Sequence, residues 1–141
     1  MENKKVDEKF LKKTFPENYK IIIGDILHYK LETPFLDDFK ENIALYIDTT
    51  DPTGKISISD KGNIFGKLGY LHKKAVERMK ICVKQRFPKA CHFANAEEKE
   101  LVYEVNIDPN DRWFAEKLRF AVHNFITLLS KIYGFVEISG L

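Results

Sequence analysis

Two short runs of alternating residues set the first limit on this chain. Ile43, Leu45 and Ile47 alternate with Ala44 and Tyr46, and Ile56 and Ile58 alternate with Ser57 and Ser59. A period of two places the aliphatic residues on one side of an extended backbone and the small or polar ones on the other. The intervening Thr49-Thr50-Asp51-Pro52-Thr53-Gly54 is rich in turn formers, so the runs form an antiparallel hairpin with one face to bury. Such a face needs a covering layer, and the rest of the chain has to supply it.

Upstream, Val6, Phe10, Leu11 and Phe15 recur at helical spacing among Lys and Glu, which predicts a short amphipathic helix stopping before Pro16. Gly24-Asp25 separates YKIII from ILHYKL. Gly at the first central position suits a two-residue type II′ turn, so strands are expected at 19–23 and 26–32. Pro34 lacks an amide hydrogen and is expected to leave the ladder or lie on an edge.

After Ser59, Asp60 or Asn63 can cap a short helical turn carrying Ile64, Phe65 and Leu68, which Gly69 breaks. A longer helix from Leu71 or His72 to Phe87 follows, with Val76, Met79, Val83 and Phe87 on one face and Pro88 at its end. Strands are expected near 91–95 and 100–107, the second turning Leu101, Tyr103, Val105 and Ile107 inward. Asp108-Pro109 opens the last helix. It is expected from Asn110 to about Tyr133, burying Leu118, Ala121, Val122, Phe125, Leu128, Leu129 and Ile132 and ending at Gly134. This order predicts one α+β domain over residues 1–141, an antiparallel sheet built from successive hairpins with helices packed mainly on one face.

A chain of 141 residues with 44% hydrophobic and 31% charged residues can bury a substantial core. No run approaches the roughly 18 apolar residues of a membrane span. MENKKVDEKF lacks the apolar centre of a signal peptide, so the expected location is cytoplasmic, with Cys82 and Cys91 as thiols. Cys82 reads as buried filler, and Cys91 has no assigned role.

The net charge of +2 conceals segregation along the chain. Residues 24–60 carry three basic and eight acidic side chains, and residues 61–92 carry nine basic ones against Glu77 alone. Positive and negative side chains are therefore expected on separate parts of the surface.

The order TPFL, an acidic corner, NIALYI and then ISISDKGNIFGKL resembles the bacterial and phage family catalogued as domain of unknown function 1828. The resemblance is clear over about residues 25–70 and looser in the helix beginning near Trp113. At the turn this chain reads SDKGN, with Ser59 and Asn63 where that family more often has Thr and an acid. The resemblance implies a fold of this kind in a small standalone protein, often of a prophage or mobile-element setting, with no established activity.

Three constellations are candidates for function. Pairing near Ile47 and Ile56 would bring Asn42 or Ile43 close to Asp60, so Asp37, Asp38, Glu41 and Asp60 could converge. Asp38, Glu41 and Asp60 then form a candidate Mg²⁺ site for phosphodiester chemistry, against a plainer reading in which Asp60 caps a helix and Gly62 supplies a tight turn. On the 72–87 helix, Lys73, Lys80 and Lys84 share an outer stripe with Lys74 and Arg78 beside it, a basic face for phosphates or an acidic protein. On the last helix, Trp113 and Phe120 fall together off the buried face among Lys117, Asn124 and Lys131. Either the first helix covers them or they form an exposed anchor, with a homodimer seam as the main rival to covering.

The four histidines match no zinc spacing, and no Gly loop or nucleophile motif is present. The sequence is therefore read as a non-enzymatic macromolecule-binding accessory protein of phage or mobile-element type. It would need no cofactor, and would bind a protein partner through Lys73, Lys74, Arg78, Lys80, Lys84, Trp113 and Phe120. Binding or metal-dependent processing of nucleic acid is the alternative. No membrane is expected as a partner, and the chain would be a monomer or a homodimer.

Overall fold

The hairpin at residues 43–58 forms as its alternation requires, within a larger sheet. The computed structural model describes residues 6–24, 28–37, 40–49, 51, 53–66, 73–86, 91–94 and 100–139. Six strands, β1 (Lys20–Ile23), β2 (His28–Leu36), β3 (Asn42–Asp48), β4 (Ile56–Ser59), β5 (Cys91–Phe93) and β6 (Leu101–Val105), combine with α1 (Glu8–Thr14), α2 (Lys73–Arg86) and α3 (Phe114–Ser139). A helical turn at 63–66 follows β4. The sheet order is β1-β2-β3-β4-β6-β5, with every neighbouring pair antiparallel. This is the expected α+β architecture built from hairpins.

One face of the sheet supplies Tyr29, Leu31, Leu45, Ile47, Ile56, Ile58 and Leu101 to the core. Helix α3 meets it with Leu118, Ala121, Val122, Phe125, Leu128, Leu129 and Ile132, all buried in one cluster with Leu11 of α1 and Val76, Met79 and Val83 of α2. Tyr103 of β6 stacks against Phe125 of α3 at 6.0 Å, and Phe93 of β5 against Phe65 at 5.6 Å. At α1, Asp7 accepts from the Phe10 amide at 2.7 Å and caps the helix. Its far end is held by Arg119 of α3, whose Nη1 donates to the Thr14 carbonyl at 3.1 Å. No described helix is long and apolar enough to cross a membrane.

The structure departs from the sequence reading at several boundaries. Ile23 pairs with Tyr29 and not with Ile26, the partner that a two-residue turn at Gly24-Asp25 would give; residues 25–27 lie outside the described residues. Strand β2 runs on through Pro34 to Leu36, but its pairing with β3 skips from Glu32 to Leu36. Pairing with β1 ends at Glu32, so Pro34 asks for no ladder hydrogen bond on either side. Side chains bridge the gap: the Thr33 hydroxyl donates to the Ile43 carbonyl at 2.8 Å and the Asn42 amide to the Thr33 carbonyl at 2.9 Å.

Ile47 pairs with Ile58, two residues beyond the expected partner. An even shift keeps the same faces together, and Asp51 takes up the added loop by accepting from the Thr53 amide at 2.7 Å. Helix α3 begins at Phe114, after successive Asx turns in which Asp108 accepts from Asn110 and Asp111 from Trp113. It continues past Gly134 to Ser139, because one helical glycine costs only about 1 kcal/mol. Expectations at Leu68, Gly69, Leu71, His72, Phe87 and Pro88 fall outside the described residues.

Candidate functional site

The corner where β4 turns into the 63–66 helical turn is organised by Asp60. The chain reverses through Lys61 and Gly62, with φ of 55° and 80°, values that cost Gly62 nothing and Lys61 a little. Asp60 Oδ1 accepts from the amides of Gly62 at 3.0 Å and Leu101 at 3.1 Å, and Oδ2 from Ile64 at 3.2 Å. The residue is 2% exposed. Burial pushes its carboxyl up to about 6; the three amides pull the other way, and the charge of Glu100 adds to the rise. Asp60 thus ties β4, the helical turn and β6 together.

The acidic corner converges in part. Asp37 and Asp60 line a cavity of about 20 Å³ together with Asn42 and Asn63, room for about one water. Glu41 is exposed, while its amide donates to Asp37 Oδ1 at 3.1 Å. Asp38 lies outside the described residues. Among the described residues no group of three or more His, Cys, Asp or Glu side chains is arranged to hold a metal ion. Cys91 is buried, and burial pushes its thiol up to about 12, with Asp60 adding to the rise; Cys82 is half-buried.

Helix α2 presents Lys74, Arg78 and Lys84 to solvent. Lys80 does not join them: its side chain is 12% exposed and lies 3.3 Å from Glu77. At 100° per residue Lys80 falls only about 40° from Val76, so its stem runs along the core boundary. The Lys73 side chain lies outside the described residues. Ile81 is exposed on the same helix, an apolar residue on the basic face that sequence reading passed over. Charges from different segments also mix, with Lys55 2.9 Å from Glu104 and Lys61 3.9 Å from Glu100.

On α3 the expected cover over Trp113 and Phe120 is not there: they are 52% and 68% exposed. Helix α1 packs on the neighbouring faces of α3 instead, through Phe10 against Phe114 at 5.5 Å and the Arg119 cap. The Arg112 guanidinium lies 5.0 Å over the Trp113 ring. Lys117 pairs with Asp111, and Lys131 is exposed further along. On an adjacent face of α3, His123 Nε2 meets the Tyr19 hydroxyl at 3.0 Å with Phe35 edge-on, an aromatic contact that joins α3 to β2.

A further set of residues lies on the sheet face opposite the core. Pairing aligns Lys30, Tyr46, Ser59 and Val102 in one row across four strands. Lys30 and Lys61 each place Nζ 5.9 Å from the Tyr46 ring centroid. Ser59 donates to Glu100 and accepts from the Lys61 amide at 2.9 Å. Clefts of about 390 Å³ open on either side, one lined by Tyr46, Asp48, Ser57, Lys61 and Glu100, the other by Lys30, Glu32, Glu41, Asn42, Tyr46 and Asn63. The signal in the sequence was Tyr46 itself, a large aromatic on the outward phase of a strand whose inward phase is already filled by Ile43, Leu45 and Ile47.

Comparison with known proteins adds one match. No curated protein and no solved structure matches the chain. A family model, described as domain of unknown function DUF1828, matches residues 33–132, from the bulge of β2 through the core-forming part of α3. With well over half of its length inside that match, the chain belongs to the DUF1828 family.

Proposed function

We propose that the chain is a non-enzymatic binding protein that engages an acidic protein surface through α3. The observation that carries this reading is the exposure of Trp113 and Phe120, 52% and 68%, on one stripe of the helix that also builds the core. Seven residues apart, they stand about 10 Å apart along the axis. Their backbone is held by buried Leu118, Val122 and Phe125, so docking would order little that is not already fixed. Rigid aromatic anchors inside a polar rim are how many interfaces concentrate their affinity.

The charge of the partner follows from the rim. Arg112 and Lys131 border the stripe and are exposed, Lys117 between them is paired with Asp111, and α2 carries exposed Lys74, Arg78 and Lys84 elsewhere on the chain. Protein is favoured over nucleic acid because the stripe is led by two exposed aromatic rings and Lys117 beside them is paired with Asp111, whereas a phosphate chain is held mainly by a run of cations.

The test is capture from host extract on the immobilised chain beside its Phe120→Ser variant, with melting temperatures measured for both. The expected result is an acidic protein retained by the wild type, released by raised salt, and lost from an equally stable variant. Retention of the same proteins by the variant, or capture abolished by nuclease treatment, overturns the reading.

A further inference from the structure

The two edges of the sheet are finished differently. At one edge, β5 is three residues long and its exposed His92 is held 3.3 Å from Glu104 of the neighbouring strand, a short and polar ending that discourages further pairing. At the other, β1 reads Lys20-Ile21-Ile22-Ile23, with its single charge at the start and no proline. Ile22 and Ile23 are 43% and 54% exposed, and among the described residues no strand pairs with the outer side of β1. An open row of amides and carbonyls beside bare isoleucines is a template for one more strand.

The register of β1 suits a copy of itself. In an antiparallel pair, two residues directly opposite either bond to each other or both turn their backbone groups away. Alternate residues of β1 already turn theirs toward β2, so a strand that meets its own copy must be centred on a residue, not between two. Centring on Ile22 sets Ile22 against Ile22, Ile21 against Ile23 and Lys20 against exposed Gly24. Aliphatic β-branched side chains then meet across the seam, and the two lysines stand at opposite ends of it. Centring on Ile21 would instead oppose Lys20 to Ile22. Ile21 lies on the core face, opposite Leu31, and Ile22 on the other, opposite Lys30. Pairing like face with like therefore continues the sheet with both helical layers on one side.

The helical layer fits the same symmetry. Helix α1 packs on β1 and runs against it. Its start lies at the Ile23 end, where the Val6 carbonyl accepts from the Tyr29 hydroxyl at 3.5 Å, and its far end lies at Tyr19, whose ring is 5.3 Å from Phe15. A twofold axis through Ile22, perpendicular to the sheet, sets the two α1 helices antiparallel. Asp7 and Glu8 at the start of one then lie toward Lys12 and Lys13 at the end of the other, adding to the Glu8–Lys12 pair of 2.8 Å inside each helix. An unrelated strand carries no such match.

We propose that the chain forms a twofold dimer through β1, joining two six-stranded sheets into one continuous sheet across an Ile22–Ile22 contact. Strands this short make a seam at the low end of specific interfaces, below about 1,200 Å², so the dimer is weak and concentration-dependent. The seam shares no residue with the α3 stripe, and either can fail without the other.

The experiment is sedimentation velocity of the full chain from micromolar to millimolar concentration, with backbone amides followed by NMR over the same dilution series. The expected result is a reversible monomer–dimer equilibrium, with concentration-dependent shifts concentrated in residues 20–24 and 8–13. Ile22→Lys opposes like charges on the axis and should lose the dimer with little change in melting temperature, because Ile22 lies on the open edge; Phe120→Ser should keep it. A chain that stays monomeric at millimolar concentration overturns the proposal. So does a dimer that survives Ile22→Lys or is lost in Phe120→Ser, or wild-type shifts on dilution confined to residues away from β1, a readout that depends on no variant.

Discussion

The Asp60 corner makes a prediction whose sign is set by the structure. Its carboxyl is raised from 3.8 in the ordinary state to about 6 in the folded chain, because burial outweighs the three amides that favour the charged form. Between those values the folded state holds a proton that the unfolded state has released. Stability therefore falls as pH rises through this window. The stabilisation is fully present below about pH 4 and is lost once the folded group ionises above about pH 6. A difference of about two units, at 1.36 kcal/mol each, makes the effect about 3 kcal/mol.

Asp60→Asn isolates this contribution. The amide keeps the shape and one acceptor oxygen for Gly62 and Leu101, but turns an NH₂ toward the Ile64 amide, where Oδ2 accepts in the wild type. The variant is therefore expected to be clearly less stable than wild type at pH 4, with most of that gap closing by pH 7. Urea unfolding followed by far-UV circular dichroism at pH 4, 5, 6 and 7, with the denaturant slope checked for constancy, measures the gap. A gap that stays constant with pH, or widens as pH rises, refutes the assignment of Asp60 as a buried carboxyl that folding protonates.

Other perturbations test the surrounding structure. Leu118→Ala, at a fully buried position of α3, should cost about 2–5 kcal/mol in urea unfolding, the range for a cavity in a packed core. Trp113→Ala should change stability by less than about 1 kcal/mol because its ring is half exposed; a larger loss would put the ring in the core and remove the anchor. Gly62→Ala, at φ of 80°, should lose about 1–2 kcal/mol, the cost of the left-handed region for a side chain, and an unchanged midpoint would show that the turn relaxes.

The fold was legible where a period was long or a face strongly apolar. The seven residues expected inward on α3 and the inward phase of β3 and β4 followed from spacing, because burial rewards a face and is indifferent to small shifts along it; Phe114 and Ile126 are buried on α3 as well and widen that face. Positions that depend on local hydrogen bonding were harder. Asp108 and Asp111 both offer a side-chain oxygen to the chain two residues on, and composition does not say which of them precedes the first helical turn. Gly24-Asp25 suggests a two-residue turn, yet Ile23 pairs with Tyr29; β1 is mostly exposed, and a strand with no buried face leaves its register weakly marked in the sequence. Lys80 shares the helical stripe of Lys73, but that stripe lies close to the buried face, and its side chain is 12% exposed beside Glu77. Trp113 and Phe120 were found as a pair, but their exposure depended on where α1 docks, which no local pattern encodes.

The charge blocks show why a linear tally is a weak guide to a surface. In the acidic segment, Asp60 is consumed by three backbone amides, Asp51 by its own loop, and Glu32 lies 3.5 Å from Lys30. In the basic segment, Lys80 is drawn onto Glu77 and Lys61 onto the side of Tyr46 and Glu100. A side chain used as a cap or drawn against its neighbours contributes little to the field that a distant partner feels. The exposed cations on the helical side include Arg112 and Lys131 beside the α3 stripe and Lys74, Arg78 and Lys84 on α2, while each sheet cleft sets one Lys against two carboxylates. An acidic partner is thus steered toward the helices and away from the sheet clefts. Reversing Lys131 to Glu should accordingly slow association of an acidic partner, most visibly at low salt; an association rate unchanged at low salt would mean that the charge beside the stripe does not steer the partner.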